Sequence, residues 1–373
     1  MPPGPPPRRR NNVPLIIGGI VGAVVLLVAV VAVIGMSGDD GNDPAKPPTA
    51  AAGSTGAARA GKVAQSLGTV PALRYSGTFS SSGDEFETQL TVTKAGSATG
   101  TITVGGAKSD IVSVDDSTYL KAPRSFWRSQ GGVTSNAEDF AGRWAKAPAS
   151  ALNLDIKEVL APGAIVQALQ GVSSYQPGTP QDINGTPAVK ITGADAEYYV
   201  STAEPPKLLR IVGTGSNIYQ LDVTEVSTGE ISTLFQQLRS QVKALDGARD
   251  PSIRFIPTGR IKSSGCGVSS CTMKLTVRSI SLGGDSSRVR VVMLGKITAG
   301  SRSGRTLGTC SDSATASSSR GVNLSCTVRG GAWSSWARSV RGSASYYIQA
   351  RTVAEAGDTG GLLSAIDREQ QAA

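Results

Sequence analysis

The chain has 373 residues, a net charge of +9, four cysteines and no histidine. Without histidine there is no Ser-His-Asp triad, no Cys-His pair and no His-ligated metal, so any catalysis would rest on carboxylates, lysine or tyrosine. Charge is uneven: Ser37–Asp250 holds 18 Lys/Arg against 22 Asp/Glu, whereas Pro251–Glu355 holds 15 against 3.

Residues 1–14 form a Pro/Arg-rich tail, expected to be extended and cytoplasmic. Leu15–Met36 then runs for 22 residues without a charge. As a helix it would span about 33 Å, enough for a hydrocarbon core of about 30 Å. Arg8, Arg9 and Arg10 precede it, while Asp39, Asp40 and Asp43 follow. The positive-inside rule therefore predicts a single-pass cell-membrane protein with its C-terminal bulk outside the cytoplasm. A cleaved signal peptide is the alternative, but its apolar region would be shorter and end in a small-x-small site. No cysteine follows the helix at a lipoprotein position. Gly18 and Gly22 form a GxxxG spacing, a weak signal for helix pairing. Residues 37–57, rich in Gly, Pro and Ala, read as a flexible spacer.

Residues 58–250 are predicted as a first folded domain. Ala58–Leu67 reads as a short helix, and a meander follows in Glu85–Thr93, Thr99–Val104, Asp110–Val114 and Thr118–Ala122, where apolar residues alternate with polar ones. Phe126, Trp127, Phe140 and Trp144 cluster in a loop or short-helix stretch. Two short helices surround Pro162, the first capped by Asp155. Strands return at Pro187–Thr192, Glu197–Ser201, Leu208–Gly213 and Asn217–Val226, and an amphipathic helix closes the domain at Glu230–Leu245. The fold expected is an α+β half-barrel, a curved antiparallel sheet with helices on one side.

Residues 251–355 are predicted as a basic, all-β, sandwich-like domain, with strands at Thr272–Ser279, Arg288–Leu294, Val322–Val328 and Ser343–Val353. Cys266, Cys271, Cys310 and Cys326 all lie here. An even count in an exported segment reads as two disulfides, and of three possible pairings the sequence-local one, Cys266–Cys271 and Cys310–Cys326, is favoured. Zinc is the alternative, but the spacings do not form paired knuckles. Residues 356–373 are expected to form a loose tail.

The order "YSGTF", "GSATGTITVGG", "DIVSVDDSTYLKA", "SFW" and then "AGRWAKAP", across Leu73–Pro148, resembles actinobacterial envelope lipoproteins of the LppX/LprG type, within the wider LolA-like class. The likeness covers about residues 58–248 and rests on strand and aromatic order. It implies a half-barrel whose concave apolar face accepts the acyl chains of a lipid or lipoglycan. This chain departs from the family in having a membrane helix instead of a lipidated cysteine, and in having a second domain.

The alternation selects Phe86, Leu90, Val92, Ile102, Val104, Val112, Val189, Ile191, Leu209, Ile211, Tyr219 and Leu221 as the lining of that face. An ordinary packed core is the other reading. Phe126, Trp127 and Trp144 would gate the mouth or, more simply, anchor packing. Trp333 and Trp336, amid Arg329, Arg338 and Arg341, would stack a sugar or fill the sandwich core. Ser240-x-x-Lys243 and the pairs Asp115-Asp116 and Asp84-Glu85 lack the companions that catalysis requires. The expectation is a non-enzymatic, cofactor-free and metal-free envelope protein that binds a lipid or lipoglycan. The alternative is a structural or sensory protein whose domains bind other envelope proteins or anionic wall polymers. Nucleic acid is not expected, since no recognition motif is present.

Overall fold

The computed structural model describes residues 52–133, 135–152, 154–172, 179–215, 217–281, 288–317, 321–356 and 358–373. The predicted membrane helix, its tail and most of the spacer lie outside these. Among the described residues no helix is long and apolar enough to cross a membrane.

Helix α1 (Ala52–Leu67) leads into an antiparallel meander of β1 (Ala72–Ser81), β2 (Asp84–Thr93), β3 (Ala98–Val104), β4 (Ala107–Val114) and β5 (Ser117–Lys121). Then come α2 (Arg124–Ser129), a 3-10 turn (Ala137–Asp139), β6 (Trp144–Lys146), α3 (Ala149–Leu152), α4 (Ile156–Leu160) and α5 (Pro162–Gln170). A second run of strands, β7 (Gln181–Ile183), β8 (Thr186–Thr192), β9 (Ala196–Ser201), β10 (Leu208–Gly213) and β11 (Tyr219–Glu225), returns to pair β11 with β1. Helix α6 (Thr228–Lys243) ends this half.

Gly77 and Gly100 let the sheet curve. Each has positive φ, and a Cβ there would lie 2.1 Å from the Gln220 carbonyl oxygen and 2.0 Å from that of Gln89. Strand glycines mark such bends and close backbone approaches. On the concave face α1 inserts Ala60, Val63, Ala64 and Leu67 at helical spacing, and α4 and α5 add Ile156, Leu160, Ile165 and Leu169. Asp155 accepts the Glu158 N–H at 3.0 Å, which makes it the predicted cap of α4.

Helices cover both faces of the sheet, which corrects the expectation of one. The Leu234, Phe235, Leu238 and Val242 stripe of α6 packs on Val112, Val114 and Tyr119, whose side chains point away from the concave face. An amphipathic stripe identifies a buried side but not which sheet face it meets. The tail expected to be loose is also corrected. After Glu355 the chain forms α8 (Thr359–Ala372), which buries Leu362 and Ile366 beside α6 and pairs Asp367 with Arg239 at 2.8 Å.

The C-terminal half is two packed sheets. One contains β13 (Ile253–Pro257), β14 (Lys262–Ser264), β15 (Ser270–Ser281) and β18 (Val322–Arg329), and the other β16 (Arg288–Ala299), β17 (Thr306–Ser317) and β19 (Tyr346–Glu355). Met273, Leu275, Val277, Val291, Met293, Ile297 and Leu324 fill the space between them. Helix α7 (Gly331–Ser339) plugs one end with Trp333, which donates to the Gly267 carbonyl at 2.9 Å. The favoured disulfides form: Cys266–Cys271 locally, and Cys310–Cys326 from β17 to β18.

The short β12 (Arg249–Asp250) pairs β19 on one side and β6 on the other, so one sheet path runs through both halves. Arg351 of β19 reinforces the join, reaching Glu138 at 2.8 Å and Asp139 at 3.0 Å. Burial pushes the Asp139 carboxyl up, and Arg351 and Arg249 beside it oppose that.

Candidate ligand-binding interior

Strand register arranges the concave face in rows. One row crosses eight strands: Ile191, Tyr198, Ile211, Leu221, Gly77, Thr88, Ile102 and Ser109. On one side of it lie Tyr219, Phe79, Phe86 and Val104, with the two phenylalanine rings stacked at 4.7 Å. On the other lie Val223, Tyr75, Leu90, Gly100, Ile111 and Leu120. All twelve residues selected from sequence are accounted for, but not all face inward.

Phe86, Leu90, Val92, Ile102, Val104, Ile191, Ile211, Tyr219 and Leu221 join one apolar cluster on the concave face, with Val189 packed at its margin. Val112 does not. Its neighbour Ile111 points inward, and Val112 packs under α6, because β4 is apolar on both faces and alternation alone cannot choose between them. Leu209 does not either. A bulge between Leu208 and Arg210 shifts the register, so Leu208 turns inward and Leu209 is only half-buried. A bulge adds a residue to one strand and so reverses the parity beyond it.

The interior is densely filled. Phe86, Val92, Leu120 and Leu221 have no exposed surface, and Leu90 and Ile102 expose 1 %. These side chains touch other side chains and not open space.

Among the described residues, four polar atoms in this apolar interior have no hydrogen-bond partner: the hydroxyls of Ser81, Thr88 and Ser109 and the indole N–H of Trp127. Each residue is at least 97 % buried. Ser81 shares the inward parity of Phe79, Thr88 that of Phe86 and Leu90, and Ser109 that of Ile111. Thr88 and Ser109 lie in one row with Ile102 between them, about 10 Å apart at two strand spacings. A buried polar group left unpaired costs about 1–3 kcal/mol, so native interiors rarely keep one without a reason. Here the three hydroxyls share the inward parity of the cluster, and Trp127 is buried within it. The residue selection by alternation of apolar side chains passed over them, although a threonine or serine at an inward position is visible in the sequence.

Tyrosines supply the rest of the interior's polarity. Tyr75 donates to the Leu160 carbonyl and so ties the sheet to α4. Burial pushes the phenols of Tyr75, Tyr198 and Tyr219 up, Tyr219 to about 12, and proximity to one another or to Asp195 adds to it. Beyond the apolar residues it buries, the helical cover makes polar contacts at its rim. Arg59 of α1 donates to the Ser201 carbonyl at 2.8 Å, Lys62 meets Glu204 at 3.2 Å, and Lys157 of α4 meets Asp116 at 2.7 Å. Exposed pairs of this kind contribute at most about 1 kcal/mol each.

Phe126 and Trp127 are wholly buried anchors, and Trp144 packs from the opposite face beneath α6 and α8. Ser240 and Lys243 are exposed on α6. Asp115 and Asp116 sit at the β4–β5 turn, where Asp116 is occupied by Lys157, and Asp84 accepts from Gln130 at 2.6 Å.

No family model matches the chain, and no curated protein matches it. Among solved structures, the crystal structure of LprF from Mycobacterium bovis is similar with a TM-score of 0.31 and 13% sequence identity, over 46% of this chain and 92% of that one. The likeness is distant.

Proposed function

We propose that the chain is a membrane-anchored, extracytoplasmic, non-enzymatic envelope protein that takes an amphiphilic lipid or lipoglycan into the half-barrel interior. One observation carries this reading: four unpartnered polar groups face an otherwise apolar cluster. A ligand with hydroxyl, ester or amide groups on an acyl framework would satisfy Thr88, Ser109 and Trp127 while its chains replace apolar contacts. Entry requires displacement of α1 or of α4 and α5, whose rim contacts are polar and weak. The resemblance of Leu73–Pro148 to LppX/LprG-type lipoproteins points the same way.

The test uses the full-length chain in detergent, exchanged exhaustively and then extracted with organic solvent for mass spectrometry. A lipid retained near one equivalent is expected, reduced at least about tenfold by Thr88→Val with Ser109→Ala. A lipid-free chain, or retention that the double substitution does not change, overturns the reading.

A second reading is favoured by the complete burial of Phe86, Val92 and Leu221. In it the interior is only a core, and the protein is structural or sensory, presenting its surfaces to other envelope proteins or to anionic wall polymers. A stable protein partner and no lipid in the same extract would support it.

A further inference from the structure

On β15, the odd-numbered residues Met273, Leu275 and Val277 are buried in the sandwich, so the even-numbered ones form its outer face. Lys274 and Arg278 are exposed there. Register brings Lys262 of β14 directly opposite Lys274, Arg254 of β13 opposite Ile280, and Arg329 of β18 opposite Ser270. None of these five cations makes an ion pair among the described residues. No described acid lies on this face. Asp312 of β17, beside β18, uses its carboxylate on the backbone N–H groups of Ser313 and Ser325, at 2.9 and 2.7 Å.

The rows alternate. Between the cationic rows at Lys274 and Arg278 lies Thr276, hydrogen-bonded to Asn323 at 2.6 Å. Between those at Arg329 and Lys274 lies Thr272, hydrogen-bonded to Thr327 at 2.8 Å. The rows of Arg329, Lys274 and Arg278 are thus four residues, about 13 Å, apart along the strand with hydroxyl and amide groups between them, and Arg254 adds a cation one row beyond Arg278.

We propose that this face docks an extended anionic polysaccharide. Its charges would meet the lysine and arginine rows, and its hydroxyls the threonine and asparagine rows. A surface serving solubility alone would mix both signs. This one instead sets Lys262 against Lys274, and like charges directly opposite each other destabilise a strand pair. A single-stranded nucleic acid would call for aromatic platforms, which the described residues of this face lack. A lipid surface would call for apolar insertion, yet among the described residues of this face Ile280 is the one large hydrophobic that is strongly exposed, at 40%. This inference is independent of what the half-barrel interior binds.

The test titrates the full-length chain in neutral detergent with polygalacturonate and, as a control, with uncharged dextran. Polygalacturonate is expected to bind, more weakly as salt rises, and dextran not to bind. Lys262→Gln, Lys274→Gln and Arg278→Gln together should weaken binding at least about tenfold. The variant Arg302→Gln, Arg305→Gln, Arg341→Gln loses the same charge off this face and should change binding less than about twofold. Thermal melts check that both variants fold, and Arg278→Gln alone, expected to weaken binding about threefold, serves if the triple variant does not. Equal losses in the two triple variants would reduce the effect to net charge and overturn the proposal. So would tighter binding to phosphatidylglycerol vesicles or to a single-stranded oligonucleotide, or no binding of polygalacturonate at all.

Discussion

The two halves of the chain solve opposite problems. The half-barrel has helices on both faces of its sheet and a cluster large enough to hold polar groups at a cost. Its capacity for chemistry lies inside. The sandwich has a small core that relies on Met273, Met293 and Leu324 with a cross-link from β17 to β18. Its distinctive chemistry lies outside, in cations on one sheet that make no ion pair among the described residues.

The largest expected effect concerns that dependence. Cys310→Ala with Cys326→Ala opens a cross-link of sequence separation 16, and removing a loop constraint of this size costs about 3 kcal/mol. Of the four tryptophans, Trp127 and Trp144 report on the half-barrel and Trp333 and Trp336 on the sandwich. In a Trp127→Phe, Trp144→Phe background, urea unfolding followed by fluorescence should show the loss in full. If the disulfide-free variant unfolds at the same urea concentration as its parent, the contrast between the two halves fails.

The second effect belongs to the half-barrel. Tyr219 ionises near 10 when unfolded but at about 12 in the fold. A folded-state value that is raised contributes stability fully present below the unfolded value and lost as pH climbs to the folded one. Roughly 2–3 kcal/mol should therefore disappear between pH 10 and 12, with Tyr75 and Tyr198 shifting the same way. Chemical denaturation at stepped pH should show this loss, and Tyr219→Phe should reduce it. Alkaline sensitivity unchanged by that substitution would mean that the phenol is not excluded from water as its burial implies.

These features differ in how far the sequence reveals them. Strand β2 is legible because Phe86, Leu90 and Val92 alternate with the polar Glu87, Gln89 and Thr91. Helix α6 is legible too, and its start could be read from Ser227 and Glu230, which form a capping box. Strand β17 is not, because its run of Thr, Gly, Ser and Ala carries little hydrophobic alternation and is defined by pairing with β16. Helix α8 escapes because only Leu362 and Ile366 are buried in it. Val112 and Leu209 show two further limits. The first depends on a second helical layer and the second on a bulge, and both are tertiary facts. The apolar side chains of the concave face are legible by alternation and the polar ones among them are not, since Thr88 and Ser109 stand out only once their lack of partners is known.

The smallest expected effect tests whether the sandwich's outer face trades stability for binding. Lys262 and Lys274 are directly opposite across β14 and β15, and both are exposed. Replacing one of two such like charges should stabilise the pair by about 0.2–1 kcal/mol, more at low salt than at high. Lys262→Gln should therefore raise the urea midpoint slightly at low ionic strength, and the gain should vanish in a Lys274→Gln background, where there is no repulsion left to relieve. A surface shaped by folding alone would already have removed that repulsion with a single acidic substitution. If Lys262→Gln lowers stability, or raises it equally with and without Lys274, the two ammonium groups avoid each other by rotamer choice, and the like-charge row no longer argues that this face is kept for a ligand.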